Sequence, residues 1–173
     1  MERPRHQPAN EGEVLAVRAL EQEGDPFAFL RVTETGLTKR ILDANRDVRD
    51  HFLKSGFHDY AAHEAGAENR VYRSGVLVRG KEEVRTEVSL YRPRTKTGDP
   101  RFWPSGLERI ANPLELLALV ASTDSLRVVN LTAAVDRAEC PNGRDQAAQG
   151  ARSHAPHVEG PLARRIFEEL RNA

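Results

Sequence analysis

Val71-Tyr72-Arg73-Ser74-Gly75-Val76-Leu77-Val78, then Arg79-Gly80-Lys81-Glu82-Glu83, then Val84-Arg85-Thr86-Glu87-Val88-Ser89-Leu90-Tyr91, is the stretch that decides the fold. Its two outer runs are short and rich in β-branched residues, and Gly80-Lys81 sits between them where a tight turn belongs, so it predicts a β-hairpin. Downstream the same text returns: Leu116–Ser122 and Leu126–Leu131 each predict a strand, with the turn between them at Thr123-Asp124. Ser105 is placed to cap a helical turn through Leu107, Glu108, Arg109 and Ile110 that Pro113 closes.

Upstream of the hairpin the period changes from two to about 3.6. Asn10 and Glu13 have the reciprocal spacing of a capping box, and Val14, Leu15, Val17 and Leu20 before Gly24 predict a short amphipathic helix. After Asp25-Pro26, the run Phe27–Thr33 predicts a strand. Gly36 then interrupts, and Thr38 is the expected cap of a second helix carrying Ile41, Leu42, Val48, Phe52 and Leu53, with Gly56 past its end. The expected architecture is α+β: a small antiparallel, barrel-like or strongly twisted sheet, with two N-terminal helices and a C-terminal helix. Residues 1–10 form a flexible lead-in, 11–135 the domain, 136–160 a linker and 161–173 the last helix.

Composition narrows the function. The chain has 173 residues, 39% of them hydrophobic and 30% charged, which supplies one modest core and leaves no room for a multidomain machine. Twenty-six Lys and Arg offset twenty-six Asp and Glu, so affinity for a polyanion must come from local clustering. Cys140 is the single cysteine, which excludes an internal disulfide and multi-cysteine zinc modules. The first residues lack the apolar region of a signal peptide, no window is long and apolar enough to span a bilayer, and a cytoplasmic location without membrane contact is expected. No glycine-rich phosphate loop, H-E-x-x-H, G-x-S-x-G or metal-nuclease pattern occurs, so the chain predicts a non-catalytic module with no cofactor and no catalytic residue.

Three clusters carry chemistry. Ser89 through Trp103 packs Arg92, Arg94, Lys96 and Arg101 against one acid, Asp99, and interleaves Tyr91, Phe102 and the only tryptophan. Cations among hydroxyls and aromatic faces are what a nucleic-acid backbone requires. The bland alternative is a solvated hairpin with Trp103 in the core and Asp99 ion-paired. Thr35-Gly36-Leu37-Thr38-Lys39-Arg40 is expected to open the second helix, where free N–H groups and the two cations would receive phosphate. His58, Asp59, His63 and Glu64 are residue types able to hold a divalent metal, although the spacing of the histidines does not align on a helix face.

Arg31 through Ala44, Gly56-Phe57-His58-Asp59-Tyr60, Ser89 through Trp103, Ala111-Asn112-Pro113 and Val128 through Thr132 together resemble the N-terminal region of the MvaI/BcnI class of type II restriction endonucleases, over roughly Phe29 to Thr132. The resemblance implies a region preceding a MutH-like nuclease domain, with a pseudobarrel like that of the EcoRII effector domain. It also implies DNA recognition in a restriction-modification or phage-defence system, with double-stranded DNA and a nuclease domain or subunit as partners. The catalytic motif of that nuclease is missing here, so a recognition module or free-standing relative is expected. On that view Arg92, Arg94 and Lys96 neutralise phosphates, Arg101 contacts a base, Trp103 braces the loop or stacks on an extruded base, and Lys39 and Arg40 add charge. Two rivals stand beside it: a metal-dependent nuclease or hydrolase using His58, Asp59, His63 and Glu64, and a protein-interaction module of a defence system.

Overall fold

The protein is described by a computed structural model covering residues 9–95 and 99–135. Residues 1–8, Lys96, Cys140, the expected linker 136–160 and the expected helix 161–173 lie outside the described residues. The first helix, α1, spans Glu11–Glu23, and its start is the predicted capping box: Glu13 N–H donates to Asn10 Oδ1 at 2.8 Å and Asn10 N–H to Glu13 Oε2 at 3.1 Å. It ends at Gly24, whose φ of 83° is the left-handed geometry that glycine adopts without a Cβ penalty.

Seven strands form one strongly curled, half-barrel sheet. They are β1 Ala28–Arg31, β2 Leu42–Asp43, β3 Val71–Arg79, β4 Glu82–Tyr91, β5 Arg101–Pro104, β6 Leu116–Ala121 and β7 Ser125–Asn130, in the order β1-β6-β7-β3-β4-β5-β2. Three further helices complete the fold: α2 Glu34–Lys39, α3 Arg46–Lys54 and α4 Leu131–Val135. The predicted hairpins β3-β4 and β6-β7 are both present, as adjacent antiparallel pairs.

Burial explains which strands alternate. On the inner face, Leu77, Val88, Leu90, Phe102, Leu117, Leu119, Leu126 and Val128 meet Val48 and Phe52 of α3. Phe52 stands edge-on to Phe57 and Phe102, with centroids 5.1 and 5.4 Å away, contacts worth about 0.5–1.5 kcal/mol each beyond their buried area. A second cluster, Val17, Leu20, Leu116, Ala118 and Leu131, places α1 and α4 on the other side of β6. Strand β6 is therefore covered on both faces, which is why Leu-Leu-Ala-Leu-Val-Ala is apolar without alternation. On the outer side of β3 and β4, Tyr72, Ser74 and Glu87 are exposed, whereas Val78 and, on β5, Trp103 are buried on that same side.

The structure corrects four expectations. The single helix expected from Thr38 to Leu53 is two: Thr33, not Thr38, caps α2 by accepting from Gly36 N–H at 2.9 Å, and Asn45 caps α3 by accepting from Val48 N–H at 3.0 Å. Between them Leu42-Asp43 pairs with β5, because two new caps and an edge pairing outweigh one continuous apolar stripe. Three helices, not two, therefore precede the β3-β4 hairpin. Gly36 is no interruption but a close contact inside α2: a Cβ there would lie 2.9 Å from Ile41 O and from Thr33 Oγ1.

The sheet is also not wholly antiparallel. The β6-β7 hairpin inserts between β1 and β3, which makes β3-β7 a parallel pair, Ser74 opposite Ser125 through Val78 opposite Val129. Ser105 caps nothing; its N–H donates to Glu87 O at 2.9 Å, and the short helical turn Leu107–Arg109 starts from Gly106 at φ 80°. Asn130, first residue of an N-x-T pattern, is fully buried. Its amide donates to Ile110 O at 2.6 Å and to Glu115 Oε2 at 2.7 Å.

Candidate nucleic-acid interface

In an antiparallel sheet, directly opposed residues share a face. The β3-β4 register sets Tyr72 opposite Ser89 and Ser74 opposite Glu87, and the β4-β5 register sets Tyr91 opposite Arg101 and Ser89 opposite Trp103. Asp43 of β2 lies opposite Arg101. The outer face thus carries a row Tyr91, Arg101, Asp43 beside a row Tyr72, Ser89, Trp103, open at Tyr72 and closed over at Trp103. Arg70, immediately before β3, joins the first row, with its guanidinium carbon 4.8 Å from the centroid of the Tyr91 ring.

Along the β5 side of this face runs a groove of about 310 Å³, with Lys39, Arg40 and Arg70 on its walls and Tyr91, Ser89 and Trp103 among its floor residues. Lys39 and Arg70 pair with no carboxylate among the described residues, and Arg40 reaches only Glu108, at 3.6 Å with both side chains open to solvent. Such an exposed pair contributes at most about 1 kcal/mol, so a polyanion displaces it at little cost. Lys39 and Arg40 hold their places by a device other than the one predicted. They lie at the C-terminal end of α2, where Arg40 closes the helix in the left-handed region at φ 54°; they do not stand at a helix N-terminus.

The cations of the Ser89–Trp103 loop fare differently. Arg92 donates to His63 O at 2.5 Å, Arg94 is ion-paired with Glu68, and Arg101 contacts Asp43 at 3.6 Å and the Tyr91 hydroxyl at 3.4 Å. Asp99 is paired with Arg49 of α3 at 3.1 Å. Trp103 is only 8% exposed and belongs to the core, so it braces the sheet and offers no free face for an extruded base. Of the predicted site, the structure gathers Lys39, Arg40 and Trp103 around one groove, and leaves Arg101 beside it on Asp43 and Tyr91. It sends Arg92 and Arg94 to internal partners. Arg70 and Tyr72 were not singled out from the sequence; their alternation with Val71 in a strand paired to Tyr91 is the signal that could have found them.

The His58–Glu64 cluster does not converge on a metal. No group of three potential ligands capable of holding an ion occurs among the described residues. The His58 ring is 3% exposed, lies nearly parallel to His63 at 4.8 Å, and meets Tyr60 edge-on at 4.4 Å. Asp59 is occupied as the cap of a short turn, accepting from Ala61 N–H at 2.8 Å. Neither ring nitrogen of His58 has a hydrogen-bond partner among the described residues. Burial first, then the nearby His63 and Arg73 charges, pulls its pKa down to about 4. His51, also buried, is lowered by desolvation and accepts from Ala121 N–H through Nε2 at 3.1 Å.

No protein-family model, curated protein or solved structure matches the chain. No described helix is long and apolar enough to cross a membrane. The functional reading therefore rests on the groove and on the residues that form it.

Proposed function

We propose that the protein is a non-catalytic DNA-binding module that grips the sugar-phosphate backbone through the outer face of β4 and β5, in the setting of a restriction-modification or phage-defence system. The observation that carries the reading is the convergence of Lys39, Arg40 and Arg70 on one groove floored by Tyr91 and Ser89. Cations with weak or no internal partners, beside a hydroxyl and an aromatic surface, supply what phosphate contact needs. The chain's zero formal net charge makes this local asymmetry, not bulk attraction, the source of affinity. The grip differs from the one the linear sequence suggests, because Arg92 and Arg94 already have partners. The link to a defence system comes from the resemblance to the MvaI/BcnI class.

The test is a titration of a short fluorescent oligonucleotide, offered both as duplex and as single strand, at increasing salt. The expected result is binding whose logarithmic salt slope falls by roughly 0.7–0.9 for each phosphate contact removed in the combined Lys39→Ala, Arg40→Ala, Arg70→Ala variant. Parent protein that binds neither form, or a variant that binds as the parent does, refutes the proposal.

A further inference from the structure

We infer that the DNA taken up by this face is single-stranded, with a base stacked on Tyr72; this rests on the proposed DNA-binding reading and names the form of DNA it would engage. Tyr72, the second residue of β3, is 56% exposed. Its neighbours on the same face are Ser74 along β3 and Ser89 across on β4, both too short to cover it. Two residues along the strands, Arg70 lies over the Tyr91 ring, so a cation and an open aromatic face stand side by side on adjacent rows of the same face.

That spacing suits a single strand better than a duplex. A flat ring standing on an open sheet offers a stacking surface to a base whose face is free, whereas in a duplex both faces of every interior base are occupied by its neighbours. A strand running from the groove across β4 would set its phosphates against Lys39, Arg40 and Arg70 and bring the next base over Tyr72. At the far end of the same face Arg127 is committed to Glu23 and Glu83, and the exposed Arg85 stands between Glu83 and Glu87, so charge there is mixed and the positive end at Lys39, Arg40 and Arg70 gives the path a direction. Charge complementarity at one end and an uncovered ring beyond it commit the face to a nucleic-acid strand over a protein partner.

The experiment compares a labelled oligonucleotide as single strand and as duplex against the parent, Tyr72→Ala and Tyr72→Phe proteins. Tyr72 lies on the surface, so both substitutions leave the core intact. Expected are tighter binding of the single strand by the parent, roughly tenfold weaker single-strand binding by Tyr72→Ala with an unchanged salt slope, and retention by Tyr72→Phe. Duplex binding equal to or tighter than single-strand binding, or a Tyr72→Ala protein indistinguishable from the parent on the single strand, overturns the inference while leaving backbone binding standing. Failure of the parent to bind either form overturns both.

Discussion

Replacing His58 by phenylalanine should remove an acid sensitivity built into the fold. The imidazole is buried between Tyr60 and His63, and neither nitrogen has a hydrogen-bond partner among the described residues, so charging it in the folded state is poorly compensated, the nearby Asp59 offsetting only part of the cost. Its pKa falls from the ordinary imidazole value of 6.5 to about 4. In the unfolded chain the ring takes up its proton near 6.5, so between those two values the unfolded state binds the extra proton. Stability is therefore fully present above pH 6.5 and is lost as the pH falls towards 4, by about 3 kcal/mol across the whole window at 1.36 kcal/mol per unit. Phenylalanine keeps a flat ring for the edge contact with Tyr60 and has nothing to protonate. Urea unfolding followed by the fluorescence of Trp103, the only tryptophan, at about pH 7 and about pH 4.5 reads the effect. The His58→Phe protein should gain about 2 kcal/mol on the parent between the two conditions. His51 and the carboxylates titrate in both proteins and cancel in the difference. Parallel loss of stability in parent and variant would refute the account, and would mean that the ring protonates in the folded state as it does in water.

Glu13→Ala should destabilise by about 3 kcal/mol in the same denaturation assay, since it leaves Arg31 without its 3.0 Å ion pair, takes from the Thr132 hydroxyl the carboxylate it donates to and opens the capping box of α1. Glu13 and Glu115 both hold their carboxyls below the usual range, held there by hydrogen bonds and ion pairs that outweigh burial. Their contribution is present above the ordinary carboxylate pKa near 4.5 and is lost as the pH falls below it, a second and more acidic step that should persist in His58→Phe. Gly75→Ala should cost about 1–3 kcal/mol, because a Cβ there would lie 2.7 Å from Val88 Cγ2 and 3.0 Å from Leu126 O at the β3-β7 junction; a melting temperature equal to the parent's would contradict this. Arg94→Ala should leave DNA affinity within a factor of about two of the parent, since its charge is already matched by Glu68, and a larger loss in the salt titration would return the arginine to the interface.

The strands were legible because their information is local. Val71–Arg79 and Glu82–Tyr91 carry their own turn at Gly80-Lys81, and Leu116–Ala121 with Ser125–Asn130 carry theirs, so each hairpin is specified without reference to the rest of the chain. The capping box at Asn10 and Glu13 was legible for the same reason. The parallel joining of β3 to β7 was not, since it depends on where the second hairpin inserts among strands far away in sequence. Nor was the short strand at Leu42-Asp43. Ile41, Leu42 and Val48 fit a helical stripe, and only pairing of Leu42 with Phe102 and of Asp43 with Arg101 makes the extended conformation win over it.

The groove's cations differ from the linear cluster for a related physical reason. Linear density of charge measures attraction to a polyanion only when the charges face one way and lack partners. Arg92, Arg94 and Arg101 are close in sequence, yet the chain delivers them to His63 O, Glu68 and Asp43, each from a different segment. Lys39, Arg40 and Arg70 come from the end of α2 and the entry to β3, too far apart to form a motif, and the curl of the sheet brings them to one groove. What concentrates positive charge here is the pairing of β4 with β5 and of β5 with β2, which carries the end of α2 to the outer face beside Tyr91. A substitution that breaks the β2-β5 pairing should therefore weaken DNA binding without touching any cation.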